Sequence, residues 1–244
     1  MIENLILRKR GKRMKVYEYK VKVKLKKELQ YYEIAEKLSY FIDSVLVKDE
    51  IFTQYHSSSQ YKGYVHDLLY PIEANSVYQL NKVYTMRIRL VQEDLVQYLM
   101  GKLAFHETQE IKGVGGEIKI IPKRTIQQLY SITPVILKTP GQGYWRGHMT
   151  LEEFEKRLKE NLIKKYKYFT GNDIDKDFSL YDLIEFKNKV PVKSSYKNVS
   201  LLGDKISLEL AQNKQAQELA YLALGVGLLE NNSRGYGFVN FKYI

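Results

Sequence analysis

The two halves of this 244-residue chain show the same order of segments: strand, helix, strand, strand, helix, strand. In the first half, residues 16–25 pass into an alternation of apolar side chains with lysine, the period of a strand with one buried face. Apolar residues at three- and four-residue steps then predict an amphipathic helix over 32–47. The remaining predicted elements of this half are strands at 61–70 and 84–90, a helix at 95–103 and a strand at 117–121.

The second half repeats that order without repeating the residues. Thr150 and Glu153 form a capping box, which marks the start of a helix. The other predicted elements are a strand at 129–138, a hairpin of 183–193 with 199–210, a helix at 215–224 and a strand at 238–243. Two successive βαββαβ units predict an α+β chain of tandem ferredoxin-like (RRM-like) domains. We place these domains at 14–125 and 126–244, after a basic N-terminal extension, 1–13.

Charge and cysteine content restrict the function. There are 39 Lys and Arg residues against 28 Asp and Glu, a formal charge of +11, which favours polyanionic partners. The absence of cysteine excludes disulfides, zinc knuckles and a cysteine nucleophile. No apolar run is long enough to span a membrane and no secretory signal is found. A cytoplasmic protein with no membrane partner is expected.

A glycine-rich segment precedes the predicted last strand. Residues 234–241, Arg-Gly-Tyr-Gly-Phe-Val-Asn-Phe, match the octamer of the RNA-stacking strand in RNA-recognition motifs. In that motif a helix and a strand still follow, whereas only three residues follow here, so a standard RNA-recognition motif cannot be completed. Backbone amides of such a loop can approach phosphates closely, and Arg234 adds a charge-assisted contact. A helix-to-strand turn that uses glycine for positive φ is the alternative.

With these residues the chain resembles the CRISPR repeat-processing endoribonucleases of the repeat-associated (RAMP) superfamily. The similarity lies in the glycine-rich segment 225–238 and in segments 130–138 and 158–166, and in their order and spacing it extends over residues 14–244. The resemblance implies two ferredoxin-like halves with a glycine-rich loop before the final strand.

The resemblance also implies a reaction on precursor crRNA. A ribose 2′-hydroxyl attacks the adjacent phosphorus within the repeat, leaving a 2′,3′-cyclic phosphate and a 5′-hydroxyl. Because the nucleophile belongs to the substrate, neither a metal nor another cofactor is expected. The reaction needs a base, an acid and positive charge near the phosphorus. A non-catalytic RNA-binding subunit of a CRISPR effector complex is the alternative.

Members of that family carry a catalytic histidine after the first helix and a lysine a few residues downstream. Here these positions correspond to His56, expected in a loop, and Lys62, the expected electrostatic stabiliser. Several members add a tyrosine from the first helix, for which Tyr40 is the candidate. His66 is the rival to His56, while His106 is expected to pack or pair and His148 to lie in a flexible loop.

RNA contacts are expected from the glycine-rich loop and from scattered cations. The predicted RNA-binding residues are Gly225, Gly227, Asn232, Arg234, Gly235, Tyr236, Gly237, Lys138, Arg146 and Lys193. The expected partners are CRISPR repeat RNA and subunits of an effector complex, with the chain as a monomer or homodimer.

Overall fold

A computed structural model of the chain describes residues 14–139, 141, 143–196 and 199–244. The predicted extension 1–13 lies outside the described residues. Among the described helices, none combines the length and the apolar character needed to cross a lipid bilayer.

The first half is a four-stranded antiparallel sheet covered by helices on one face. Its strands are β1 (Val16–Leu25), β3 (Tyr64–His66), β5 (Val83–Leu90) and β6 (Ile111–Ile121), in the order β3-β5-β1-β6. The apolar side chains of β1 pack with helices α1 (Ile34–Leu46), α2 (Glu50–Ser57) and α3 (Glu93–Leu103) in one core. Strands β2 (Leu29–Gln30) and β4 (Val77–Tyr78) pair separately.

The second half repeats this topology. Its sheet has the order β12 (Val239–Tyr243), β7 (Ile126–Ser131), β11 (Ile206–Leu210) and β8 (Tyr181–Phe186), which is again fourth, first, third and second strand. The confirmed architecture is therefore two ferredoxin-like units in tandem. The elements of this half are β7 (Ile126–Ser131), α4 (Leu151–Thr170), β8 (Tyr181–Phe186), β9 (Val192–Tyr196), β10 (Val199–Gly203), β11 (Ile206–Leu210), α5 (Lys214–Val226), a 3-10 turn (Asn232–Arg234) and β12 (Val239–Tyr243).

Several predicted strands differ from the observed ones. Within 61–70 the strand covers only Tyr64–His66, with a separate bridge from Tyr70 to Thr85, and 129–138 is replaced by β7, Ile126–Ser131. Pro134 lacks the N–H that a continued ladder would need. The predicted hairpin is present but is divided into two pairs, β8 with β11 and β9 with β10. The β9-β10 pair therefore extends beyond the sheet.

Buried polar contacts join the two halves. Arg89 of β5 is only 2% exposed, and its guanidinium contacts Glu18 Oε2 at 2.8 Å. The same group donates to the carbonyl of Val239 at 2.5 Å and to Asn240 Oδ1 at 2.9 Å, both in β12. Glu18 pairs with the buried charge of Arg89, and removing either partner would leave an uncompensated charge. The remaining N–H groups of Arg89 bind β12 and hold it against the first sheet.

Helix α5 makes the second junction. The Tyr221 hydroxyl donates to the carbonyl of Ile121 at 2.8 Å and accepts from the amide of Val16 at 3.1 Å. A Cβ added at Gly225 would lie 2.5 Å from Val91 Cγ1, so only glycine permits this approach of the helix to the first half. The residue predicted as part of an RNA-binding loop thus lies inside a helix at the junction of the halves.

Candidate active site

His56 lies on helix α2 and not in the predicted loop. The Asp49 side chain caps this helix by accepting from the amides of Ile51 and Phe52, and Phe52 and Tyr55 bury one face of it. His56 follows directly after Tyr55 and its side chain is 36% exposed. The ring Nδ1 lies 3.2 Å from Oδ1 of Asp43 on α1. The other ring nitrogen, Nε2, makes no hydrogen bond within the part of the chain that the structure describes.

Lys62 lies against the carboxyl end of the same helix. Its ammonium donates to the carbonyls of Tyr55 and Ser58 and lies 4.9 Å from the centre of the Tyr55 ring. Burial lowers the pKa of Lys62 to about 8, while the charge of Asp43 acts in the opposite direction. The Lys62 ammonium therefore binds carbonyls at the carboxyl end of the helix that carries His56. It also lies close enough to Asp43 to interact with its charge.

Tyr40 lies on α1 one turn before Asp43. Residues three apart on a helix share a face, so the Tyr40 ring lies on the side of α1 that carries Asp43. The ring is 58% exposed. The structure thus places His56 and Lys62 near Asp43, and Tyr40 on the face of α1 that carries Asp43.

The second half reaches the same point through the β9-β10 hairpin. Tyr196, at the end of β9, interacts with Ser39 of α1 and with the charges of Asp43 and Arg234. Burial raises the pKa of Tyr196, and the Arg234 guanidinium lies 4.8 Å from the centre of its ring. Arg234 itself is exposed. Elements of both halves therefore converge on the surface beside Asp43 and His56.

Lys165 of α4 holds the glycine-rich loop in place. Its side chain is 2% exposed, and its ammonium donates to the carbonyls of Gly227 at 3.0 Å and Leu229 at 2.7 Å. A third bond, of 2.7 Å, goes to Asn232 Oδ1. The Asn232 amide in turn donates to the carbonyls of Leu228 and Tyr236 at 2.9 and 3.0 Å. The three donors of one ammonium thereby fix the path from α5 to the 3-10 turn.

The glycines of this loop have backbone conformations that favour glycine. Gly227, Gly235 and Gly237 have φ of 72°, 85° and 68°. A Cβ at Gly237 would lie 2.2 Å from the carbonyl oxygen of Leu228, and one at Gly235 would lie 2.8 Å from the His66 ring. The loop is therefore a tightly packed turn that leaves Arg234 at the surface.

Tyr236 does not provide a stacking surface. The octamer predicts an exposed aromatic ring, but the Tyr236 side chain is 1% exposed and its hydroxyl lies 2.7 Å from Ser194 Oγ of β9. The ring is thus buried between the loop and the β9-β10 hairpin. Any RNA contact at this position is left to the backbone.

The other histidines occupy different surroundings. His66 is fully buried, with Nε2 3.3 Å from Ser39 Oγ and Nδ1 2.9 Å from the carbonyl of Asp67. Burial lowers the pKa of His66 to about 4, so the ring is neutral near pH 7. The ring packs against Gly235. His106 contacts Ser44 Oγ at 2.7 Å, and His148 is exposed in the loop before α4.

The three remaining predicted RNA-binding cations differ in whether their side chains are exposed or engaged in contacts within the protein. Lys138 and Lys193 have exposed side chains. The Arg146 guanidinium lies 3.3 Å from the buried Asp204 carboxylate and 4.7 Å from the centre of the Phe186 ring. Arg146 is thus committed to a buried carboxylate and an aromatic ring. Among the described residues, no three His, Cys, Asp or Glu side chains are arranged to hold a metal ion.

Sequence reasoning missed Asp43 and Lys165. Asp43 is a polar position on the exposed side of an amphipathic helix, and Lys165 follows another lysine in a helix rich in charge. One signal was available for Lys165: it shares a helical face with Leu158 and Leu162, which the structure buries.

Replacing Lys165 by Met is expected to remove a pH-dependent part of the stability. Burial lowers the pKa of Lys165 to about 7, from an ordinary value of 10.5. Between these values the unfolded chain binds more protons than the folded one, so folded-state stability falls as the pH falls from 10.5 towards 7. The slope is at most about 1.4 kcal/mol per pH unit. Urea unfolding at several pH values measures it.

The matched control is Lys164→Met, which removes an exposed lysine from the same turn of α4. Lys164→Met should retain the wild-type slope, whereas Lys165→Met should flatten it. An identical pH dependence in both variants would show that Lys165 is not desolvated in solution.

Comparison with known proteins identifies the family and the fold. Residues 117–241 match the model of the C-terminal part of CRISPR-associated protein Cas6. Sequence search of curated proteins gives no match. A solved CRISPR-associated Cas6 superimposes with a TM-score of 0.68 at 16% identity, covering 93% of this chain and 99% of that one.

Two further solved structures share the fold. A RAMP protein that binds different RNA substrates has a TM-score of 0.68 at 17% identity, covering 93% of this chain and 99% of its own. The product of a Cas6-related gene from Pyrococcus furiosus has a TM-score of 0.64 at 14% identity, covering 93% and 98%. Since the family model matches just over half of the sequence, this chain belongs to the Cas6 family of CRISPR-associated proteins.

Proposed function

We propose that this protein binds CRISPR repeat RNA and cleaves it within the repeat by attack of a ribose 2′-hydroxyl. The observation that carries the proposal is the convergence of His56, held by Asp43, with Arg234 and the glycine-rich loop at one surface point. A base beside a cation is what this reaction requires. Membership of the Cas6 family supports the choice of substrate.

In the proposed reaction His56 Nε2 takes the proton from the 2′-hydroxyl. The freed electron pair on O2′ forms a bond to the adjacent phosphorus while the bond from phosphorus to O5′ breaks. The products are a 2′,3′-cyclic phosphate and, once O5′ has gained a proton, a 5′-hydroxyl. The nucleophile is supplied by the substrate, so the scheme requires no metal ion.

Lys62 and Tyr40 are proposed to assist from the two helices. Lys62 carries its charge at the carboxyl end of α2, beside the carbonyls of Tyr55 and Ser58, where it stabilises charge that develops on the phosphate oxygens. A lysine whose pKa is about 8 can also supply a proton near neutral pH. Tyr40 offers an exposed hydroxyl on the Asp43 side of α1.

The RNA is proposed to contact the glycine-rich loop and the cations around it. Arg234 is exposed beside the site and presents a guanidinium that can form paired bonds to phosphate. Lys193 on β9 and Lys138 between β7 and α4 add exposed charge in the same half. A net charge of +11 steers polyanions toward the molecule.

His56→Ala is expected to lower the single-turnover rate by about 100- to 10,000-fold, the usual contribution of a general base. Labelled repeat RNA is incubated with excess protein in EDTA, and the product ends are analysed. His148→Ala is the matched control, because His148 is an exposed histidine in the loop before α4 of the second half. That variant should cleave at the wild-type rate.

A 2′-deoxy substitution at the cut site should abolish cleavage by the wild type while leaving binding intact. Normal cleavage by His56→Ala would remove His56 from the reaction. Tight binding with no cleavage by the wild type would identify the chain as a non-catalytic RNA-binding subunit.

Arg234→Ala is expected to weaken RNA binding and to reduce its dependence on salt. Loss of one phosphate contact lowers the slope of log affinity against log salt concentration by about 0.7 for single-stranded RNA. Affinities are measured between low and physiological salt by fluorescence anisotropy. Lys156→Ala, an exposed lysine of α4, is the control for a simple loss of charge. Equal slopes for wild type and Arg234→Ala would exclude the phosphate contact.

A further inference from the structure

We propose that Asp43 is the positioning residue of the active site, acting through His56. The assignment rests on the proposed function, since it concerns how His56 is made competent as a base. Asp43 lies on α1 and His56 on α2, so the contact joins side chains of two different helices. The distance from Asp43 Oδ1 to His56 Nδ1 is 3.2 Å.

The Asp43 carboxylate is also contacted from the protein interior. The hydroxyl of Tyr64, on β3, donates to Asp43 Oδ1 at 3.5 Å, and the Tyr64 side chain is 1% exposed. Burial raises the pKa of Tyr64 well above its ordinary value, and the negative charge of Asp43 raises it further. Tyr64 is therefore a neutral donor near pH 7. The chain of contacts runs from the core, through Asp43, to the partly exposed ring of His56.

This arrangement selects one tautomer of the neutral imidazole. An unprotonated Nδ1 would face a carboxylate oxygen 3.2 Å away with its lone pair, which is repulsive, so the contact favours a proton on His56 Nδ1. The lone pair is then on Nε2, the nitrogen available to take a proton from the substrate. When Nε2 has taken it, the carboxylate beside Nδ1 stabilises the resulting imidazolium. Asp43 thus orients the base and stabilises the positive charge that the ring carries after proton transfer.

Other groups around Asp43 fit this role. The Asp43 charge also acts on Lys62 and on Tyr196, which lies under Arg234. The carboxylate therefore lies among the residues that surround the proposed phosphate position. It contacts His56 directly, whereas it influences Lys62 and Tyr196 through its charge.

The test combines the tautomer of His56 with the cleavage rate. In wild-type protein, ¹⁵N chemical shifts of the imidazole should show the proton of the neutral ring on Nδ1. Asp43→Ala should release that preference and lower the single-turnover cleavage rate by at least about 10-fold, a part of what a general base contributes. The RNA dissociation constant should stay within about twofold of the wild type, because a carboxylate offers phosphate no hydrogen-bond donor.

Asp43→Asn keeps the shape but removes the charge, and its amide can either accept from Nδ1–H or donate to Nδ1. It should therefore lose the preference for a proton on Nδ1 and cleave more slowly than the wild type. Glu50→Gln, in the first turn of α2, is the matched control for loss of a nearby carboxylate and should change neither readout. Circular dichroism of each variant establishes that α1 and α2 remain folded.

An unchanged tautomer in Asp43→Ala, or a wild-type cleavage rate in that variant, would overturn the assignment. Failure of the proposed function is recognised separately. In that case His56→Ala cleaves normally although Asp43→Ala still shifts the tautomer of His56.

Discussion

A single buried lysine fixes the surface on which the candidate site is built. Lys165 lies inside the second half, and its side-chain nitrogen lies within hydrogen-bond distance of the Gly227 and Leu229 carbonyls and of Asn232 Oδ1. Burial of the charged form is costly and lowers the pKa of this group to about 7, and the carbonyls of the glycine-rich turn supply acceptors for its N–H groups. The turn is thereby held in the conformation that exposes Arg234 and buries Tyr236. The position of Arg234 relative to Asp43 therefore depends on the bonds that Lys165 makes to the loop.

The site depends equally on how the two ferredoxin-like halves meet. Helices α1 and α2 contribute Asp43 and His56, while the hairpin and the loop of the second half contribute Tyr196 and Arg234. Neither half contains all of these groups. The Arg89 contacts with β12 and the close packing at Gly225 hold the halves together. This explains why residues nearly two hundred positions apart in sequence lie at one point.

Local patterns predicted the fold well and the site only in part. The alternation of β1, the capping box at Thr150 and the glycine-rich segment are short-range signals, and each corresponds to an observed element. Helix α2 was missed because it buries only Phe52 and Tyr55, which gives too weak a hydrophobic period to distinguish it from a polar loop. The family resemblance predicted His56, Lys62 and Tyr40 as catalytic residues. Nothing in the local sequence indicates that the Asp43 carboxylate contacts the His56 ring. The ring of Tyr236 is buried because a turn, not a stacking strand, surrounds it.

The structure of the protein bound to repeat RNA with a 2′-deoxy group at the cut site would test the role of His56 most directly. We predict that C2′ of the substituted nucleotide lies beside His56 Nε2, close enough for a hydroxyl oxygen on that carbon to be about 2.6–3.2 Å from the nitrogen. The scissile phosphate should then face Arg234 and the glycine-rich loop. A scissile phosphate bound away from the contact between α1 and α2, with His56 still paired to Asp43 and exposed to solvent, would contradict this role.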